Sequence, residues 1–217
     1  SLMSRGIERG DRIGIWSTNN TDWFTIFLAA AKIGAILVNI NPAYKTTELE
    51  YVLNQSGVKL LFTITTNRTS NYLSMLEELA PHLFSSDKKQ DSKSVSADGS
   101  RVRGLENIVV IQEVSESDLK GKLVAYSQFL KDSEKIHPLE LSQRRQGVQF
   151  DDPVNIQYTS GTTGFPKGVT LSHHNLINNG YLAAAAMRID KDSRFCIPMP
   201  FYHCGGMISS ALATLSV

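Results

Sequence analysis

Eleven consecutive residues, Tyr158-Thr159-Ser160-Gly161-Thr162-Thr163-Gly164-Phe165-Pro166-Lys167-Gly168, bring together glycines, hydroxyl side chains and one lysine. Gly161 and Gly164 allow backbone angles closed to other residues and let a ligand approach the main chain. Successive N–H groups in such a turn form a concave anion site. Thr159, Ser160, Thr162 and Thr163 add hydroxyl donors, and Lys167 adds a compact positive charge of the kind used at phosphates. Pro166 fixes one φ angle and so limits the freedom the loop surrenders on ordering. The chemistry that wants this set is the cradling of a polyphosphate. A Walker loop would need G-x-x-x-x-G-K-[ST] running into a helix. Counted from Gly161, the second glycine position is Pro166 and Lys167 is followed by Gly168, so that pattern fails.

The elements around the loop must hold it. Residues 154–158 before it and 169–171 after it read as short strands, so the loop is expected to join two strands. Upstream, residues 11–16 form a compact strand. Thr21 is placed to cap a helix over 22–33, with Asp22 favourable at its positive end and Gly34 as its stop. Residues 35–40 are a continuous apolar run of the kind buried in a parallel sheet, broken by Asn41-Pro42. A helix from Thr46 or Thr47 to Asn54, ended near Gly57, and a strand over 58–64 follow. A helix over 69–79 carries Tyr72, Leu73, Leu76 and Leu79 at helical spacing and stops at Pro81. Residues 107–112 read as a strand, 126–131 as a helix and 144–152 as a polar approach to the loop. After the loop, Ser172 is placed to cap a helix over 173–187, residues 194–198 read as a strand, and 200–207 open a final helix. This alternation predicts an α/β fold of layered sheets with flanking helices.

Composition removes several function classes. A net charge of +1 gives no electrostatic footprint for nucleic acid. Two cysteines, Cys196 and Cys204, make neither a disulfide scaffold nor a zinc site and fit a reducing compartment. No apolar run approaches the length of a bilayer span, so no transmembrane segment is expected. Residues 85–104, rich in Ser, Lys and Asp, hold too few apolar residues to offset the cost of ordering and predict a disordered insertion. Residues 1–6 read as the last turn of a helix stopped by Gly6, and 207–217 as an apolar run without a cap, so the chain is expected to be a piece of a longer protein. Trp16 and Trp23 are expected in the core, Arg144-Arg145 on a solvated face, and Cys204 as a small buried hydrophobe rather than a nucleophile. His173-His174 invites a metal reading, but neighbouring residues on a helix face different ways, and no metal ligand is assigned.

In its order of residues the glycine loop resembles the phosphate-loop signature of the adenylate-forming (AMP-dependent synthetase/ligase) enzymes, which include acyl-CoA synthetases, luciferases and peptide-synthetase adenylation domains. Further segments are similar to that family: Asp11-Arg12-Ile13-Gly14-Ile15-Trp16, Asn39-Ile40-Asn41-Pro42-Ala43-Tyr44 with Glu48-Leu49-Glu50-Tyr51-Val52-Leu53, Leu171-Ser172-His173-His174-Asn175, and Pro200-Phe201-Tyr202-His203. Asn41-Pro42-Ala43-Tyr44, Ile156-Gln157-Tyr158 and Tyr202-His203-Cys204 look most like the medium-chain acyl-CoA synthetases of mitochondria. The resemblance implies that residues 1–217 are the partial, N-terminal portion of the AMP-binding large domain, without the C-terminal domain. It implies a mitochondrial location and a reaction in which a fatty acid is activated with ATP to an acyl-adenylate and then passed to CoA.

By the same resemblance Thr159, Ser160, Gly161, Thr162, Thr163, Gly164, Phe165, Pro166 and Lys167 hold the β- and γ-phosphates, with magnesium whose protein ligand is not named. His203 lies beside the acyl carboxylate, and Tyr202, Gly205, Gly206 and Met207 line the acyl tunnel, the glycines leaving room for the chain. The alternative for His203 is a core histidine that caps the final helix. The family's later Tyr-Gly-x-Thr-Glu element, ribose-binding aspartate and adenylation lysine lie beyond Val217, so the 217 residues alone are expected to lack activity. Two other functions stay open: a truncated, non-catalytic nucleotide- or partner-binding module, and an adenylate-forming enzyme for an aryl or amino acid. The apolar surroundings of Gly205-Gly206-Met207 favour a hydrophobic acyl chain over an amino acid.

Overall fold

A computed structural model describes residues 1–85, 99–159 and 164–217. Ser160, Gly161, Thr162, Thr163 and most of the predicted insertion lie outside the described residues. Short apolar runs become the strands β1 (Arg12–Trp16), β2 (Ile36–Ile40), β3 (Val58–Thr63), β6 (Asn107–Val110), β7 (Val124–Ala125) and β8 (Pro153–Thr159), with β9 (Lys167–Ser172) at one edge. The two-residue strands β4 (Thr66–Asn67) and β5 (Ser70–Asn71) form a separate hairpin. The main sheet of the described residues runs β7-β6-β3-β1-β2-β8-β9. Its neighbours pair in parallel except β8 and β9, which are antiparallel. Four of five residues in β1 and in β2 are buried, because both sheet faces are covered. That is why these strands are mostly apolar without polar alternation, Arg12 and Asn39 being the exceptions.

Helix α1 (Thr21–Ile33) carries the chain from β1 to β2, and α2 (Thr46–Ser56) carries it back across β1 to β3. Right-handed crossovers in opposite directions put these two helices on opposite faces. Helix α3 (Tyr72–Leu79) packs with α2, and α5 (Pro138–Gln146) packs with α1. The short α4 (Tyr126–Lys131) precedes α5 in the return from β7 to β8. Trp16, Trp23, Phe62 and Tyr72 are fully buried, and Trp16 stacks on Tyr72 at 3.6 Å between ring centroids.

The fold corrects several expectations. The cap of α1 is Asn20, whose side chain accepts from the Trp23 amide at 2.9 Å, rather than Thr21, which is already helical. The third helix starts at Tyr72, not at 69, because β4 and β5 use the preceding residues and the Asn71 side chain caps it. A helix, α5, replaces the start of the polar approach. It buries no residue, so it has no apolar stripe to reveal it, and Pro138 starts it. Arg144 is only half-exposed, while Arg145 is exposed. Residues 194–198 form no strand among the described residues, since no neighbour supplies the ladder bonds a strand needs; Phe195 is 41% exposed. The last residues of the predicted insertion are docked: Val102 is buried, and Arg101 and Val102 donate their amides to the Leu79 carbonyl at 2.8 and 3.2 Å. The Arg101 guanidinium pairs with Glu50 and Glu78 on the two helices beneath. Beyond α6 (His173–Met187), the final helix runs through α7 (Cys204–Gly206), a π-helical turn (Met207–Leu212) and α8 (Ala213–Leu215).

At the start of α6, Ser172 is the cap, as expected, and the Asn175 side chain reaches back to make it reciprocal. Next to it, His173 has a buried Nε2 without a hydrogen-bond partner among the described residues. Burial holds this imidazole below the usual histidine range, and the Asp152 carboxylate opposes that only in part. The unfolded chain therefore takes up this proton more readily, near a pH of about 6.5. The stability that neutral His173 contributes is present above that pH and is lost as pH falls through it towards the folded value. Thermal melts are expected to show His173→Gln losing less stability than the parent between about pH 7.5 and about pH 5.5. Parallel profiles would refute this assignment.

Candidate functional site

The glycine loop is the turn of an antiparallel hairpin. Thr159 at the end of β8 stands opposite Lys167, the first residue of β9. Lys167 thus belongs to a strand rather than to the loop as expected, and the rest of the loop lies between the two. Its side chain is exposed and has no carboxylate partner among the described residues. Gly164 sits at φ +97°, a conformation that a Cβ would strain, with open space around it. Phe165 stacks on Tyr51 of α2, with centroids 4.8 Å apart and planes at 29°. That contact fastens the second half of the loop to the helix beneath it.

The Pro200–His203 motif lies at the same end of the sheet. His203 caps α7: its Nδ1 accepts the Gly205 amide at 3.2 Å. A backbone N–H can only donate, so Nδ1 is the bare nitrogen and neutral His203 carries its proton on Nε2. The ring is exposed, which leaves that N–H available. The helix cap is present as expected, but the residue is not in the core. Cys204 is exposed too, contrary to expectation, because it occupies the first position of the helix beside the cap. Tyr202 is half-buried and Met207 is fully buried.

The glycines also behave differently from the expectation that they leave room for an acyl chain. A Cβ on Gly206 would lie 2.2 Å from the Pro200 carbonyl oxygen, so this glycine lets the chain pack against itself. At Gly205 the nearest atoms are the Met199 Cε at 3.3 Å and the His203 Nδ1 at 3.5 Å. Gly206→Ala is expected to destabilise the protein by about 2 kcal/mol, and Gly205→Ala by clearly less, since a mobile methionine tip can yield. Denaturant midpoints check this, and equal losses would contradict the packing account.

Four tyrosines missed in the sequence as a group join the two motifs. Burial pushes the Tyr158 hydroxyl up to about 12, with Tyr51 and Tyr44 adding to it. Burial likewise raises Tyr44, helped by Glu48 and by Tyr202. Tyr158 leads into the glycine loop, Tyr51 stacks on Phe165, and Tyr202 precedes His203. Tyr44, at the end of the turn after β2, lies near enough to Tyr158 and Tyr202 to interact with both electrostatically. That turn is held by the Trp16 Nε1, which donates to the Asn41 carbonyl at 3.1 Å, and by the Tyr72 hydroxyl, which donates to the Pro42 carbonyl. The signal was present as four tyrosines near glycine-rich or proline-containing segments, but only sheet order makes them neighbours. Ligands of open parallel sheets bind outside the carboxyl ends of the strands, which is where this group stands.

An apolar cavity of about 320 Å³, lined by residues such as Leu2, Ile26, Phe129 and Leu141, touches neither Lys167 nor His203. Among the described residues, no group of three or more His, Cys, Asp or Glu side chains could hold a metal ion. No described helix is long and apolar enough to cross a membrane.

The model of the AMP-binding enzyme family matches residues 1–217. The chain belongs to that family. YngI of Bacillus subtilis (strain 168), whose name places it among the acyl-CoA synthetases, is 36% identical over 216 residues, 100% of this chain and 38% of the relative. The mitochondrial medium-chain acyl-CoA ligase ACSF2 of Macaca fascicularis is 34% identical over 218 residues, 99% of this chain and 34% of the relative. The chain thus spans about a third of these relatives, 38% and 34% of their lengths. Among solved structures, the anthranilate CoA ligase AuaEII in complex with anthranoyl-AMP matches with a TM-score of 0.74 at 20% identity, over 100% of this chain and 35% of that one. A red-emitting luciferase from Phrixothrix hirtus matches with a TM-score of 0.72 at 22% identity, over 100% of this chain and 36% of that one. As in the sequence-based expectation, the α/β architecture is that of part of an adenylate-forming enzyme.

Proposed function

We propose that this chain supplies the polyphosphate-binding and acid-facing part of an AMP-forming acid–thiol ligase. In the first step a carboxylate oxygen attacks the α-phosphorus of ATP, the bond to the pyrophosphate oxygen breaks, and an acyl-adenylate forms. In the second, the CoA thiol attacks the acyl carbonyl, loses its proton and expels AMP. Lys167 neutralises charge on the departing pyrophosphate, and Thr159 with the loop amides orients it. Both tasks are positioning and electrostatics. The His203 Nε2–H donates to the acid carboxylate and holds it in line. Magnesium bound through the phosphates would share the charge neutralisation; with no protein ligand cluster among the described residues, it would take most of its contacts from phosphate and water.

The observation that carries this function is the uncompensated Lys167 opposite Thr159, at the mouth of the glycine hairpin. Likeness to ACSF2 supports a medium-chain fatty acid as substrate and a mitochondrial location, which fractionation of source cells would test. Carboxylate-dependent ATP–pyrophosphate exchange by the full-length protein, strongest with medium-chain acids, is the deciding experiment. Exchange absent with every acid offered would overturn the function. The 217 residues alone are proposed to lack exchange and thioester formation, since they span only 38% and 34% of the lengths of YngI and ACSF2.

A further inference from the structure

We propose that Asn19 and Asn39 are positioning residues for His203, clamping the segment that carries it on both sides. This rests on the function above only in so far as His203 is taken to face the acid. The side chain of Asn19, in the turn after β1, donates from Nδ2 to the Met199 carbonyl at 2.9 Å and accepts the Phe201 amide on Oδ1 at 2.7 Å. One amide that donates to one backbone group and accepts from another two residues on acts as a neighbouring strand would. It does so just after residues 194–198, which form no strand among those described.

Asn39, on β2, is 1% exposed. Its Nδ2 faces the Phe201 carbonyl at 3.3 Å and the Met207 sulfur at 3.2 Å. Its Oδ1 accepts from Asn155 Nδ2 at 3.1 Å, and Asn155 also donates to the Leu37 carbonyl at 2.8 Å. Two primary amides in the middle of an apolar parallel sheet are unfavourable on burial alone, and the Asn155 Oδ1 is left without a partner among the described residues. Apolar residues would fill β2 and β8 at lower cost. What the amides gain is a polar tether from the sheet to Phe201 and Met207, which flank His203. With Phe201 held by both asparagines and Met207 by one, the ring is fixed against the same strand ends from which the Lys167 hairpin projects.

The test uses the full-length protein with ¹⁵N-histidine labelling, the His203 signals being assigned by their loss in His203→Asn. In the parent, the ring nitrogens should report a proton on Nε2 and a hydrogen-bonded, bare Nδ1. Asn19→Ala and Asn39→Leu are expected to shift these signals towards a mixture of tautomers. Asn155→Leu disturbs the same buried amide pair without touching residues 199–207 and is expected to keep the parent pattern. In exchange assays the two clamp variants should lose about 100-fold in kcat with KM for ATP unchanged, since the hairpin is untouched. Unchanged His203 signals in both clamp variants would overturn the proposal, as would an equal loss in Asn155→Leu. A parent protein that shows no exchange rejects the proposed function, while the ring spectra still decide the clamp. Asn19 is exposed, so Asn19→Ala remains testable if Asn39→Leu fails to fold.

Discussion

Lys167→Ala in the full-length protein is expected to lower kcat/KM for ATP by about 100-fold while leaving the folding midpoint where it was. The physical case has two halves. The side chain is exposed at the first residue of an edge strand and has no ion-pair partner among the described residues, so removing it breaks nothing in the fold. Departing pyrophosphate gathers negative charge, and a fixed cation beside it stabilises that state more than it stabilises bound ATP. Lys167→Arg should recover only part of the loss, because a planar fork does not replace a compact ammonium at the first residue of β9. Exchange rates at varied ATP, with urea melts beside them, measure both halves. An unchanged rate at saturating ATP together with an unchanged apparent affinity would remove Lys167 from the site.

The second large effect separates two roles of one histidine. His203 caps α7 through Nδ1 and presents Nε2–H to solvent. Asparagine is among the best capping residues, so His203→Asn should keep the cap and the stability of the final helix. It removes the outward imidazole N–H, and the acid-dependent exchange rate should fall by about 100-fold. His203→Ala loses both roles: the same fall in rate, plus a loss of about 1 kcal/mol from the missing cap. If Asn and Ala variants lose stability alike, the cap assignment is wrong. If His203→Asn keeps the parent rate, the histidine is structural and the acid is held elsewhere.

Much of this arrangement could be read from short stretches of sequence. The hairpin around the glycine loop, the Ser172 cap and the ends of α1 and α2 at Gly34 and Gly57 depend on bonds between residues a few positions apart. The apolar runs of β1, β2 and β3 announced a doubly covered sheet because burial on both faces leaves no polar alternation. Failures came where local signals were silent or misleading. Helix α5 buries nothing and so lacks periodicity. Residues 194–198 have strand composition but no neighbour among those described. Gly205 and Gly206 look like space for a ligand, yet the space at Gly206 is filled by the Pro200 carbonyl.

By itself, the sequence determined which chemistry was available: a glycine and hydroxyl loop with one lysine for a polyphosphate, a histidine before a glycine pair, and alternating strands and helices to carry them. Those properties reside in residue types and in contacts a few residues long. Tertiary structure alone decided that the two motifs share one end of the sheet and that four tyrosines lie between them. It also decided that asparagines 162 and 182 residues away in the chain hold the histidine segment. Such contacts depend on strand order and on loops closed over long separations, whose entropy is offset only when the whole sheet assembles. No short window of sequence contains that information.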